Sequence, residues 1–103
     1  MTFLRDVRFD NNNLNESDNQ LSGEIPSLDN MTSLRVVEFG FNNLNGRLPN
    51  DFFNQLPQLE YCILNNNQFE GSIPRSIGNC TSLIHIYLAS NFLTESFSLN
   101  ILK

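Results

Sequence analysis

Apolar residues recur along the chain in a fixed phase. Set in register, the leucines divide it into four segments beginning at Leu4, Leu34, Leu59 and Leu83, on the frame L-x-x-L-x-L-x-x-N-x-L-x-G-x-I/L-P. In the second segment Leu34, Val37 and Phe39 alternate with variable residues, and in the third Leu59, Cys62 and Leu64 do the same. Alternation in twos predicts a short strand with one buried face. A strand that short cannot bury its face alone. The segments are therefore expected to stack as coils, each strand parallel to its equivalent in the next coil, over one continuous core.

The second half of the frame predicts the rest of each coil. An Asn follows every strand, at Asn12, Asn42, Asn67 and Asn91. Its amide carries both a donor and an acceptor, so an inward-facing Asn can satisfy backbone groups freed at the strand end and link neighbouring coils as a ladder. The next apolar residue (Leu14 or Leu21, Leu44, Phe69, Leu93) points inside, Gly23, Gly46 or Gly71 permits a bend, and Ile25, Leu48 or Ile73 returns to the core. Pro26, Pro49 and Pro74 end this extended piece, and the chain returns through turns or short 3₁₀ helix. Asn66, beside the ladder residue, is expected to point outward and to tolerate Ala. Two segments depart from the frame. N-x-L occurs twice in the first, at Asn12 and Asn19, which predicts an inserted loop, and the last has Glu95 and Phe97 in place of Gly and Ile.

The continuation L-x-G-x-I-P after the Asn carries a family resemblance. The run FNNLNGRLPNDFFNQLPQLEYCILNNNQFEGSIPRSIGNCTSL resembles the plant-type extracellular leucine-rich repeat, in particular the ectodomain of leucine-rich-repeat receptor-like kinases, and the likeness extends from Leu4 to about Phe97. The resemblance implies an α/β fold: a right-handed leucine-rich-repeat solenoid, a horseshoe arc with a parallel β-sheet on the concave face and turns or short 3₁₀ helices on the convex face. Residues 1–103 are expected to form a single leucine-rich-repeat domain. Cysteine-bearing end caps, which the family's ectodomains carry, are not found in the chain, and uncapped terminal coils would expose their core.

In this frame the residues at positions 3, 5, 7 and 8 of each coil face away from the core and tile the concave sheet. The first coil contributes polar residues there: Asp6, Arg8, Asp10 and Asn11. The next three contribute Val36, Phe41, Tyr61, Ile63 and Tyr87, ringed by Glu38, Asn65, Asn66 and His85. An apolar and aromatic cluster with a polar rim is characteristic of a protein or peptide contact site. The same residues would also stabilise the sheet by cross-strand packing alone, at about 0.2–1 kcal/mol per pair.

Charge and composition narrow the chemistry. Six basic residues against eleven acidic give a net charge of −5, and Arg5, Arg8, Arg35, Arg47 and Arg75 are scattered, which argues against nucleic acid. The chain contains no kinase motif, neither V-A-I-K nor H-R-D nor D-F-G, and no glycine-rich phosphate loop. His85 is the single histidine, and its outward position keeps it from Cys62 at an inward one. No nucleophile, base and orienter come together, so an enzyme is not expected, nor a cofactor or bound metal. Cys62 and Cys80 lack metal or redox spacing and read as buried free thiols.

Sequons N-x-S/T at Asn15, Asn30 and Asn79 are candidate N-glycosylation sites and point to an extracellular protein, although no signal peptide or membrane-spanning run is present in these 103 residues. Membrane attachment would therefore come from a parent protein. Together these features predict a non-enzymatic module that recognises a peptide or protein, with a co-receptor as a further partner, from the ectodomain of a plant receptor-like kinase or receptor-like protein in signalling or defence. The alternatives are a small independent leucine-rich-repeat protein acting as a decoy or as an inhibitor of a cell-wall-degrading enzyme, and a truncated gene product without a ligand.

Overall fold

The computed structural model describes residues 4–9 and 21–94. In chain order the elements are β1 (Asp6–Arg8), β2 (Ser22–Gly23), β3 (Val36–Glu38), β4 (Asn43–Arg47), the 3₁₀ helix η1 (Phe53–Gln55), β5 (Tyr61–Ile63), β6 (Gln68–Ser72), the 3₁₀ helix η2 (Arg75–Asn79), β7 (His85–Tyr87) and β8 (Phe92–Thr94). The odd-numbered strands form the parallel sheet of the concave face, in the order β1-β3-β5-β7. Their register has no offset: Asp6, Val36, Tyr61 and His85 make one row, and Arg8, Glu38, Ile63 and Tyr87 another. Inward from them, Val37 and Cys62 are completely buried.

The even-numbered strands form a second parallel sheet, β2-β4-β6-β8, which the leucine frame predicted only as an extended piece. Its register steps by two residues per coil, because each glycine pairs with the inward apolar residue of the following coil: Gly23 with Leu44, Gly46 with Phe69, Gly71 with Leu93. The glycines bend the chain from within the strand, and the prolines follow its end. Gly46 and Gly71 lie inside five-residue strands at φ of 81° and 80°, and a Cβ on Gly71 would sit 3.1 Å from Cγ of Arg47, whose stem lies over it. Leu21 occupies the inward position of the first coil; Leu14 lies outside the described residues. Leu48 is buried, whereas Ile25 and Ile73 are half-buried and flank the core.

The convex return is built on a step of three. Backbone N–H groups of Met31 and Leu34 donate to carbonyls three residues earlier, as do those of Leu56 and Leu59 and those of Cys80 and Leu83. In 3₁₀ geometry side chains three apart eclipse. Each return therefore presents one apolar row inward: Leu28, Met31 and Leu34, then Phe53, Leu56 and Leu59, then Ile77, Cys80 and Leu83. Phe53 and Ser76 tie η1 to η2, the Phe53 amide donating to Ser76 Oγ at 3.3 Å. Burying one large apolar side chain contributes about 1.5–3 kcal/mol, and the core holds Phe39, Phe53 and Phe69 at 1% exposure or less.

Asn42, Asn67 and Asn91 join the two sheets. Each side-chain oxygen accepts from a backbone N–H of the preceding coil: Asn42 from Leu21 at 2.9 Å, Asn67 from Leu44 at 3.0 Å, Asn91 from Phe69 at 3.0 Å. Each Nδ2 donates backward too, to Phe9 O, Phe39 O and Leu64 O respectively, at 3.0 Å in all three cases. It also donates within its own coil, Asn67 to Leu64 O and Asn65 O, both at 3.2 Å. Asn12, the remaining member of the expected ladder, lies outside the described residues, as do the duplicated N-x-L element and the departures at Glu95 and Phe97.

The link runs to the preceding coil, and the residue before it is not idle. A strict alternation from Phe39 would turn Asn42 outward. Phe41, Asn66 and Ser90 instead adopt left-handed backbone, with φ of 59°, 60° and 61°, and this one residue shifts the phase so that the following Asn points in. Asn66 also accepts from Asn65 Nδ2 at 2.7 Å. Replacing it by Ala is therefore expected to cost more than the sequence pattern alone suggests.

Asn67→Ala is expected to cost about 1–3 kcal/mol, because it strands the buried Leu44 N–H and the carbonyls that share Nδ2. Asn66→Gly, which keeps the left-handed conformation, is expected to cost about 1 kcal/mol or less. Urea unfolding of both variants checks this, and equal shifts contradict it.

Candidate functional site

The two unshifted rows of the concave sheet place the predicted residues. Within them the surface changes from charged to apolar, from Asp6 and Arg8, through Val36 and Glu38, to Tyr61, Ile63, His85 and Tyr87. Neighbouring strands stand about 4.8 Å apart, so adjacent residues of a row touch. Val36, Glu38, Tyr61 and Ile63 come together with Arg8 around a shallow depression of about 290 Å³. His85 and Tyr87 lie on the next strand, their rings 5.8 Å apart and tilted by 52°. Tyr61 is 39% exposed and Tyr87 47%.

The sequence pattern puts Arg8 with the polar first coil, outside the cluster; the structure makes it a wall of the depression. Its Nη1 donates to Glu38 Oε1 at 3.1 Å and its Nη2 to Asp6 Oδ2 at 3.3 Å. The bond to Glu38 is the leading reason that its pKa is pushed up. Opposite charges at facing positions of parallel neighbours, Arg8 and Glu38, were the signal available in the sequence. A second coil-to-coil pair, Arg35 with Glu60 at 3.1 Å, stands one residue before these rows. Exposed pairs of this kind add little stability, about 0–1 kcal/mol, and chiefly fix side-chain positions.

Two members of the expected cluster sit differently. Asn65, expected on the polar rim, is 7% exposed. It folds over Gly40, where a Cβ would lie 2.7 Å from Asn65 Oδ1. The absence of a side chain at Gly40 is what lets it lie flat, so position 7 contributes no free amide to the rim there. Phe41 does not line the depression. It stands at the end of its strand, 42% exposed, in the left-handed conformation that bulky side chains rarely adopt.

Cys62 and Cys80 are free and buried, as expected. Burial pushes both thiols up, and Cys80 Sγ faces the carbonyls of Leu56 and Leu59 at 3.6 and 3.7 Å. Neither is a thiolate nucleophile near neutral pH. Among the described residues no group of three or more His, Cys, Asp or Glu is placed to hold a metal ion, and no helix is long and apolar enough to cross a membrane. The sequon residues Asn30 and Asn79 are exposed on the return segments; Asn79 Nδ2 donates to Asn54 Oδ1 at 3.1 Å, and Asn30 borders a polar hollow of about 460 Å³. Asn15 lies outside the described residues.

Two stretches, residues 33–55 and 58–80, match the Leucine Rich Repeat family model. The chain is a leucine-rich-repeat protein. It is 44% identical over 68 residues to Receptor kinase-like protein Xa21 of Oryza sativa subsp. japonica, an alignment covering 66% of this chain and 7% of that protein. The leucine-rich-repeat ectodomain of the receptor kinase GASSHO1/SCHENGEN3 from Arabidopsis thaliana, solved in complex with CASPARIAN STRIP INTEGRITY FACTOR 2, superposes with a TM-score of 0.80 at 31% identity, over 95% of this chain and 11% of that one. The BIR3–SERK2 complex of the same species gives a TM-score of 0.66 at 34% identity, over 78% of this chain and 48% of that one. The leucine-rich-repeat chain thus spans a small fraction of the receptors it resembles, and its match to the kinases falls on their ectodomain.

An Asn or Gly satisfies a left-handed position more cheaply than Phe. Phe41→Asn is expected to leave the stability of this leucine-rich-repeat chain unchanged or to raise it by up to about 1 kcal/mol. Urea denaturation checks this; a loss larger than that means that the Phe41 ring packs on its neighbours.

Proposed function

We propose that the chain is a non-catalytic recognition module whose concave face binds a peptide or protein segment, as part of the extracellular region of a plant receptor in signalling or defence. The observation that carries the proposal is the row structure itself: Tyr61 and Tyr87, both substantially exposed, flank half-buried Val36 and Ile63 in strict register, beside the charged Glu38 and Arg8. Aromatic side chains offer large contact area at low entropic cost and are over-represented where interfaces derive their affinity. A ligand laid across the strands meets a new pair of side chains about every 4.8 Å.

The chemistry of the remaining residues favours binding over catalysis. Both thiols are held neutral by burial, and His85 is partnered by an aromatic ring in place of a carboxylate orienter. The solved ectodomain in complex with CASPARIAN STRIP INTEGRITY FACTOR 2 and the BIR3–SERK2 complex support a protein ligand and a co-receptor as the classes of partner. Asn30 and Asn79 sit on the return segments, so sugars attached there leave the concave rows uncovered.

Tyr61→Ala and Tyr87→Ala are each expected to reduce capture of a protein from plant extracellular fluid by at least tenfold, with the unfolding midpoint little changed. Equal capture by both variants and the unaltered chain contradicts the concave-face assignment.

A further inference from the structure

We infer that the depression between β1, β3 and β5 is a subsite for one large apolar side chain of an extended peptide that carries a lysine or arginine two residues away. The inference rests on the concave-face function and names the ligand chemistry of that face.

Size comes first. At about 290 Å³ the depression lies at the lower edge of the roughly 300–1,000 Å³ typical of small-molecule sites, and it is open on one side. It is large enough to take one bulky side chain. The apolar contact is made by Val36 and Ile63, both half-buried, and by the ring of Tyr61.

Charge then selects the neighbour. Asp6 and Glu38 both accept from the single guanidinium of Arg8, at 3.3 and 3.1 Å; Arg35, which also acts on Asp6, is itself paired with Glu60, so three carboxylates face two cations across these strands. The whole chain has the same sign, with a net charge of −5. An acidic ligand would have to draw Arg8 from both partners and leave their carboxylates facing each other. A basic one gains from the surplus charge without breaking either bond. Glu38 and Ile63 face each other across adjacent strands, about 4.8 Å apart, and in an extended peptide residues i and i+2 share a face about 6.6 Å apart. An apolar residue on Ile63 thus places the side chain two residues away within reach of Glu38.

The test is selection of phage displaying random 12-residue peptides on the full chain. Recovered peptides are expected to be enriched in a large apolar residue with Lys or Arg two positions away, and depleted in Asp and Glu. Ile63→Ser should lower their recovery at least tenfold. Glu38→Gln, an isosteric change at a half-buried position of β3, should lower it about fivefold and remove the preference for basic residues. Acidic peptides, no enriched peptides, or recovery unchanged by both substitutions overturns the subsite. Peptides indifferent to these two but lost with Tyr87→Ala leave the concave-face function standing without the subsite, whereas peptides indifferent to all three overturn both. A chain that sediments as a dimer dissociated by Ile63→Ser assigns the depression to a second copy and overturns the peptide.

Discussion

Where each concave strand ends, the chain must turn from one sheet to the other, and the turn frees backbone N–H and C=O groups inside the molecule. A buried group of this kind costs about 1–3 kcal/mol when it is left without a partner. Asn42, Asn67 and Asn91 meet that constraint with one side chain per coil, accepting from an N–H of the preceding coil and donating to carbonyls of both coils. An apolar residue of the same size could fill the space but not close the bonds. The two sheets and the core between them are therefore held to one spacing by an amide ladder, and the concave rows inherit their alignment from it.

Bringing the ladder residue inside has a conformational cost that shapes the binding face. The left-handed residue before each Asn breaks the alternation of the strand, turning Phe41, Asn66 and Ser90 away from the position they would otherwise take. Asn and Ser adopt that backbone readily compared with Phe. A phenyl ring held there, still 42% exposed, marks a coil at which surface chemistry and backbone preference disagree. Gly40 shows the opposite compromise: by having no side chain it lets Asn65 of the next coil fold flat, which closes the sheet at that end.

Much of this was legible in the sequence because it repeats. The leucine frame located all the concave strands, and the recurrent Asn located the ladder, since each is dictated by burial and periodicity within a coil. What escaped depends on relations between coils. The two-residue step of the second sheet, which pairs Gly46 with Phe69, is a relation between coils and leaves no mark in either segment alone. The inward place of Leu21 is fixed by its bond to Asn42 in the following coil. Asn65 was misplaced because its burial follows from the absence of a side chain on another strand. Arg8 was overlooked because a polar coil was judged by its own composition and not by the Glu38 beside it.

The spacing of the coils depends on the Asn side chains being the acceptors for specific inward amides, and hydrogen exchange reads this residue by residue. The amide protons of Leu21, Leu44 and Phe69 should exchange slowly, and Asn67→Ala should accelerate Leu44 by at least tenfold while leaving Leu21, which donates to Asn42, protected. If Leu44 exchanges freely in the unaltered chain, or keeps its protection when Asn67 is removed, the ladder is not what holds the coils together.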